Sequence, residues 1–424
     1  MEKRKHIVIV GGGFAGLQLD KILDKGAKYQ ITLVDMNNYN FFPPLLYQLA
    51  TGFMEPSSIS YPFRRLLRHR KNTNFRMGAL QSVVPAEHKI ILSNGELHYD
   101  ILVIATGAET NFFGNKNVEE KAMPMKTVGD ALMLRNLVYT RLERATRTDD
   151  KEYRRKLLSF AIAGAGPTGV ELSGTFAEMK QNIIKKDYPE LSHEDLGDIY
   201  LIDGQQTVLA PMSEKAQRYT ETVLRKKGVK LKLGVFVKDF VNDEVLLSDG
   251  TVVDARNLIW AAGVAAKTFD GIDAPEHLGR GRRMKVDAFN KMEGYEDIYA
   301  IGDASIMTTD PAFPQGHPQQ AQVAIQQAKN LAENLNREMQ DPKPFIYDDK
   351  GSMAIIGRNQ AVADLPRHIF LKGFPAWFIW VFIHIMSLVN FKNKVRTFYN
   401  WVGYYLSKDQ SYRMVLRPNE KAKG

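Results

Sequence analysis

The chain has 424 residues, 44% of them hydrophobic and 25% charged, which fits a globular protein of about two to three domains with a sizeable core. It contains no cysteine, which excludes a redox disulfide, a catalytic thiol, an iron–sulfur cluster and a Cys-based zinc site; its nine histidines form no H-E-x-x-H or other close metal spacing, so no metal is expected. Most of the net charge of +9 falls late in the chain, where Arg367 to Gly424 carries ten Lys and Arg against Asp409 and Glu420, a pattern seen with nucleic acid, anionic lipid or a solvated surface.

In chain order, HIVIV (6–10) reads as a buried parallel strand that starts too close to Met1 for a secretory or transit peptide. GGGFAG (11–16) turns it into a helix, and QITLVD (30–35) is the next strand, ending on Asp35. KIILSNGELHYDILVIATG (89–107) reads as a hairpin around Asn-Gly followed by a strand that ends in glycine. Met123 to Arg147 is helical and charged. LLSFAIAG (157–164) opens a second strand–turn–helix unit, with IYLID (199–203) as its second strand and KKDYPELSHEDLG (185–197) as an inserted helix end and loop. VLLSDGTVVDARNLIWAAG (245–263) repeats the hairpin-then-strand layout. One series of a Gly-rich turn, an acid-ended strand, a hairpin and a Gly-ended strand thus occurs twice, which predicts two similar dinucleotide domains. DIYAIGDAS (297–305) and an amphipathic helix over 316–335 follow, then a polar, Pro-containing linker over 337–350. From Gly373 the run GFPAWFIWVFIHIMSLVNF is apolar, and KNKVRTFYNWVGYYL then mixes bases with aromatics.

Gly11, Gly13 and Gly16 supply a tight turn, close backbone approach and helix–strand packing, so that a diphosphate can sit on the helix N-terminus. Asp35 follows at about the fingerprint spacing, where a ribose hydroxyl would lie; the bland alternative is a turn that serves packing alone. Gly164, Gly166 and Gly169 repeat the pattern, with Asp203 further on because of the insertion. Gly204, Gln205 and Gln206 offer no base for a 2′-phosphate, which favours NADH over NADPH. Two dinucleotide sites without thiol or metal imply a relay in which one nucleotide stays and the other exchanges. FAD is expected as the resident one, non-covalently held, with Asp303 of IYAIGDAS reaching a ribitol hydroxyl. Glu171 lies early in the second helix. It can be a carboxylate favoured by the helix dipole, or a functional acid facing the cofactors. Gln322 and Gln326 share a helix face and can be a solvated stripe or donors to quinone carbonyls. The tail fits a helix in the headgroup layer, with a transmembrane span over 373–391 as the alternative; nucleic acid is not expected.

GGGFAG, FFPPLLYQLATGFMEPSSISYPFR, LVIATGAETNFFG, GAGPTGVEL, IWAAGV, IYAIGDAS and AQVAIQQ occur here in the order found in type II NADH dehydrogenases, the single-subunit, non-pumping NADH:quinone oxidoreductases, which the chain resembles from about residue 5 to residue 410. The resemblance implies an α/β fold of two Rossmann-like domains of the glutathione-reductase-like flavoprotein type: an FAD domain (1–115 and 285–340), an NADH domain (116–284) and a C-terminal domain (341–424) with amphipathic anchoring helices at about 373–406. It implies that Gly11, Gly13, Phe14, Ala15, Gly16, Asp35, Thr106, Gly107 and Asp303 hold FAD, with Pro44 and Leu45 near its ring system. Gly164, Gly166, Thr168, Gly169 and Asp203 would hold NADH, Ala262 and Gly263 would let the nicotinamide lie flat, and Ala321, Gln322 and Gln326 would line the quinone site. It places Glu171 beside nicotinamide and flavin, as an orienting group or a proton source. After the acid the family often has an Ala-x-Pro-Arg-like turn, where this chain has Gly204-Gln205-Gln206-Thr207. The expected partners are NADH, a membrane quinone (menaquinone or ubiquinone) and anionic lipid at the cytoplasmic face of the inner membrane, with a homodimer left open. The competing readings are a soluble NADH-dependent reductase of a protein acceptor and a non-catalytic NADH-sensing flavoprotein; a sulfide:quinone reductase would need cysteines.

Overall fold

The computed structural model describes residues 4–192, 194–407 and 412–416. The chain folds into two compact units: Met1–Phe41, Tyr61–Glu109 and Val264–Asp349 form the first, and Phe42–Ser60, Thr110–Gly263 and Lys350–Gly424 the second.

The first unit is built on a five-stranded parallel sheet in the order Ile298–Ala300, Ile101–Ile104, His6–Val10, Gln30–Asp35, Thr73–Met77. Its central strand is apolar at every position after His6 because both faces are covered. Ile7 and Ile9 point to the helices Phe14–Gly26 and Ala321–Asn336, which pack together through Leu19, Leu23, Leu331 and Leu335. Val8 and Val10 point to the opposite core, shared with Ile90 and Leu92 of the antiparallel sheet Leu80–Val84, Lys89–Leu92, Gly95–His98. Each such aliphatic side chain is worth roughly 1.5–3 kcal/mol when fully buried.

The second unit repeats the plan. Its parallel sheet runs Met123–Pro124, Asn257–Trp260, Phe160–Ala163, Ile199–Asp203, Val229–Leu233, and the antiparallel sheet is Val237–Val241, Glu244–Leu247, Val252–Val253. Ile162 pairs with Leu201 and Ile259 much as Val8 pairs with Thr32 and Leu102. The helix expected from Met123 starts later, at Val128–Ala145. Thr127 and Asp130 cap it reciprocally, which leaves Met123–Pro124 free to form an edge strand. Ahead of the expected insertion (185–197), the helix Pro167–Met179 runs on through a π turn, Lys180–Ile184, and the Lys180 ammonium donates to the carbonyls of Leu196 and Gly197 at the insertion's end.

One tail expectation differs from the structure. Residues 337–350 have no regular secondary structure, yet they are not a free linker. Phe345 and Tyr347 are buried in the first unit, and the Asn334 amide holds both N–H and C=O of Lys343. Lys350 onward belongs to the second unit, and it begins with an unforeseen antiparallel sheet, Ser352–Gly357, Gln360–Leu365, Ile369–Lys372. Gly174 lets the helix Pro167–Met179 lie on that sheet, since a Cβ there would stand 1.9 Å from the Ile356 carbonyl oxygen. The helices Gly373–Ser387 and Phe391–Ser407 follow. The first has 15 residues and ends at an extended Leu388. At ~1.5 Å per residue it falls short of a hydrocarbon core of ~30 Å. Among the described residues no helix is long and apolar enough to cross a membrane.

Candidate dinucleotide sites

In the first unit, Gly11 has φ +107°, and a Cβ on it would sit 2.3 Å from the Ala105 carbonyl oxygen, so the turn grazes the end of the neighbouring strand. A Cβ on Gly16 would lie 1.9 Å from the Gly11 oxygen. Gly13 differs: nothing lies within 4 Å of the place its Cβ would occupy. It is the N-cap of Phe14–Gly26, is itself exposed and offers no side-chain acceptor, so no side chain caps the helix start. Asp35 accepts from the Gly12 N–H through Oδ2 (2.7 Å), and through Oδ1 from the Asn37 N–H (2.8 Å) and, at longer range, the Asn37 side-chain amide (3.4 Å), which leaves Oδ2 the oxygen with a spare lone pair. Burial pushes this carboxyl up, opposed by those same N–H groups.

Gly302 brings the distant GD turn to this place. At φ +71° its Cβ would stand 3.4 Å from that of Ala15 and 3.3 Å from that of Ala324, and Asp303 follows directly. The Gly302 N–H donates to Gln327 Oε1 (2.7 Å) and Gln319 donates to the Asp303 carbonyl (3.1 Å). Thr106 Oγ1 is buried with no hydrogen-bond partner among the described residues, and the side of Gly107 is open. An uncapped helix start, two open glycines and an orphaned buried hydroxyl, all in one unit with Asp35 and Asp303, fit an adenine dinucleotide such as FAD. Pro44 and Leu45 belong to the second unit, on the turn Pro43–Leu45.

The second unit repeats the Gly-rich turn and its anchoring acid. Gly164 has φ +103°, and its Cβ would lie 2.4 Å from the Ala261 oxygen; that of Gly169 would lie 1.8 Å from the Gly164 oxygen; Gly166 is open. Asp203 accepts from the Ala165 N–H through Oδ2 (2.5 Å) and from the Gln205 N–H through Oδ1 (2.7 Å). Thr168 is exposed on the first helical turn, and Ala262 and Gly263 lie half-buried just past the strand Asn257–Trp260. Gly204, Gln205 and Gln206 are exposed and uncharged.

Glu171 sits in the second turn of Pro167–Met179 and is buried, while the first turn holds no acid, so the helix-dipole explanation does not apply. Burial pushes its carboxyl well above the usual range, opposed by the Ile355 N–H, which donates to Oε1 at 3.4 Å. The neutral acid is therefore favoured. The Tyr47 phenol is also buried. It is pushed up by that burial and by the Glu171 charge, and it lies on Leu46–Ala50, which packs against the Glu171 helix. Trp380 borders Tyr47 (ring centroids 6.5 Å) and stacks on His384 (3.7 Å), whose imidazole burial pulls down to about 4. Sequence reasoning missed Tyr47 and Ile355, whose only signal was their place in the quoted FFPPLLYQLATG motif and in an unrecognised strand.

Ala321 opens the helix Ala321–Asn336, and Gln322 donates to Gln320 Oε1. The Gln326 amide is committed: it donates to the Asp348 carbonyl (2.9 Å) and accepts the Asp348 N–H (3.0 Å). Gln327 is buried rather than part of a solvated stripe, because it serves Gly302. Among the described residues no cluster of three His, Asp or Glu could hold a metal ion.

The pyridine nucleotide-disulphide oxidoreductase family matches over residues 5–328, and the NDH2 C-terminal domain over residues 350–408. The chain is 35% identical over 422 residues to the type II NADH:quinone oxidoreductase Ndh of Mycobacterium tuberculosis, covering 96% of this chain and 89% of that protein. It is 30% identical over 437 residues to the mitochondrial internal alternative NAD(P)H-ubiquinone oxidoreductase A1 of Solanum tuberosum, covering 95% and 86%. Of solved structures, NDH2 from Plasmodium falciparum in complex with NADH shares the fold with a TM-score of 0.88 at 23% identity, covering 98% of this chain and all of that one. The sulfide:quinone oxidoreductase of Aquifex aeolicus shares it with a TM-score of 0.70 at 20% identity, covering 96% of each. The chain belongs to the pyridine nucleotide-disulphide oxidoreductase family and, within it, to the type II NADH:quinone oxidoreductases.

Proposed function

We propose that this protein oxidises NADH and reduces a membrane quinone, menaquinone or ubiquinone, as a non-pumping FAD enzyme bound to the cytoplasmic face of the inner membrane. One observation carries the reading. The same acid-anchored Gly-rich turn is built twice, as Asp35–Gly12–Asn37 and as Asp203–Ala165–Gln205, in a chain without cysteine.

Bound FAD would supply hydride acceptance from NADH and two-electron donation to the quinone. Gly13 and the first-turn N–H groups would hold its diphosphate, Asp35 an adenosine ribose, Asp303 the ribitol, and Thr106 one further hydrogen bond. Gly166 and its helix would hold the NADH diphosphate. Asp203 would accept from the ribose hydroxyls and repel a 2′-phosphate, with no base at 204–207 to offset that repulsion. Glu171, favoured as the neutral acid, would orient the nicotinamide or keep a proton ready for the reduced quinone. Gln322 would donate to a quinone carbonyl, while Gln326 keeps the 345–350 strap in place. Exposed Phe374, Phe378 and Phe382 on one tail helix, and Phe391 and Phe398 with Lys392, Lys394 and Arg396 on the next, suit a headgroup layer of anionic lipid. Lys408, Arg417, Lys421 and Lys423 lie outside the described residues.

The purified protein is expected to be yellow, to release FAD on denaturation, to bleach with NADH under anaerobic conditions faster than with NADPH, and to regain its colour when quinone is added. Release of FMN, absence of flavin, or a bleached flavin that quinone leaves unchanged would each overturn the reading.

A further inference from the structure

An exposed phenylalanine held in a strained backbone calls for an explanation, and Phe113 is one. It is 68% exposed and has φ +53°, a region a bulky residue rarely occupies without a functional or structural reason. The neighbouring Phe112 packs into the second unit's core against Trp260, so the apolar requirement of this turn is already met.

The turn is held firmly. Asn111 N–H donates to the Gly263 carbonyl (3.1 Å), Asn111 Oδ1 accepts the Phe113 N–H (2.8 Å), and Trp260 Nε1 donates to the Asn111 carbonyl (2.8 Å). The Phe113 ring then lies on the bare α-carbon of Gly263: a Cβ there would stand 2.7 Å from Cζ. Trp260 supports the ring edge-on, with centroids 6.4 Å apart. The same loop runs back to the Gly-rich turn, since a Cβ on Gly164 would meet the Ala261 oxygen at 2.4 Å and the Ala262 α-carbon at 2.7 Å. The open helix start at Gly166, the 261–263 loop and the presented ring are thus contiguous within one unit, at the carboxyl ends of its parallel strands, where ligands of such sheets bind.

We propose that Phe113 is an aromatic clamp for the nicotinamide end of the coenzyme, a positioning residue that is seated on Gly263 and whose exposed ring contacts the flat nicotinamide beside the 261–263 loop. The proposal rests on the NADH reading of this site. Nicotinamide is planar, and in NAD+ it is cationic, so the phenyl face beside it gains ring contact with either form and cation–π attraction with the oxidised one. Phe113 therefore favours NAD+ more than NADH and sets the ring's orientation for transfer.

The test uses the flavin-loaded full-length protein, with Phe113→Ala and Phe113→Tyr, and calorimetric titration with NAD+ and with ADP-ribose, which lacks nicotinamide. Phe113→Ala is expected to weaken NAD+ about tenfold. It should raise the KM for NADH by a smaller factor and change the isotope effect with 4-deuterated NADH, while ADP-ribose affinity, flavin content and quinone KM stay at wild-type values. Phe113→Tyr should restore NAD+ binding. Unchanged NAD+ affinity in Phe113→Ala, or an equal loss for ADP-ribose, would overturn the clamp while leaving the NADH site standing. A wild-type protein that binds neither NAD+ nor ADP-ribose would overturn the NADH reading itself and the clamp with it.

Discussion

Glu171 is a carboxyl with almost no water around it, held by one long hydrogen bond and faced by a buried phenol. Its folded-state pKa is raised, so its contribution to stability is greatest below the ordinary glutamic range and is lost as pH climbs toward the raised value. Glu171→Gln keeps the shape and removes the ionisation. The variant is therefore expected to be at least as stable as wild type at neutral and alkaline pH. If the carboxyl orients nicotinamide or supplies a proton, steady-state turnover should fall roughly 10²-fold, the lower range for general acid–base catalysis, with the flavin still bound. Thermal melts and turnover on one preparation check this; full turnover accompanied by a lower melting temperature would return Glu171 to a purely structural role.

The helix Phe14–Gly26, which presents the first turn's N–H groups, carries a buried acid on its far face. Asp20 is fully buried, accepts from the Thr73 hydroxyl (2.6 Å), and has Arg70 at 3.4 Å without a hydrogen bond to its Oδ2. Burial outweighs both partners and pushes this carboxyl up to about 6. The raised value means that the folded state binds the proton more tightly than the unfolded chain. This contribution is present below about pH 4 and lost as pH rises through about 6. At ~1.4 kcal/mol per pH unit, that loss is on the order of 3 kcal/mol. Asp20→Asn can still accept from Thr73 and does not ionise. Its stability relative to wild type should therefore improve between pH 4.5 and pH 7. Denaturant unfolding at the two pH values measures this, and a difference that is the same at both would show that Arg70 keeps Asp20 ionised throughout.

At the scale of the whole molecule, the tail helices combine an inward face and an outward apolar face. Trp377, Trp380 and Trp401 are buried, and Asn393 and Thr397 bond the carbonyls of Ser60 and Ser58, while Phe374, Phe378 and Phe382 face out. Two forces of different salt dependence then act at a lipid surface. Each Lys or Arg near anionic lipid is worth about 1 kcal/mol and is screened beyond ~8–10 Å, whereas aromatic insertion is not screened. High salt should weaken vesicle flotation without abolishing it, and Phe378→Ser with Phe382→Ser should abolish what remains in high salt. Their side chains are exposed, so the fold should be kept. Flotation of the double variant in high salt at the wild-type level would rule these helices out as the anchor.

The duplicated plan was legible because it rests on local rules. Glycine at a positive φ, an acid at a strand end and an Asn-Gly hairpin each constrain a few consecutive residues, and the chain states them twice. The partners of Asp35 and Asp203 follow from the same short range, since both acids bind the turn beside their own strand. The nature of Glu171 was not legible. Its place early in a helix suggests a solvated, charged group, and only the packing of Leu46–Ala50 and Ser352–Gly357 against that helix removes the water and favours the neutral acid. The same holds for the polar 337–350 segment, which two aromatic side chains fasten to a core, and for Gln326 and Gln327, which look alike in a Gln-rich run but serve Asp348 and Gly302. The transmembrane alternative for 373–391 was open on composition alone, and the break at Leu388 limits the helix to Gly373–Ser387. The sequence by itself determined what its backbone turns and strand ends must do. The tertiary structure decided protonation, commitment of amides and exposure of rings, because these depend on which distant atoms displace the water around a side chain.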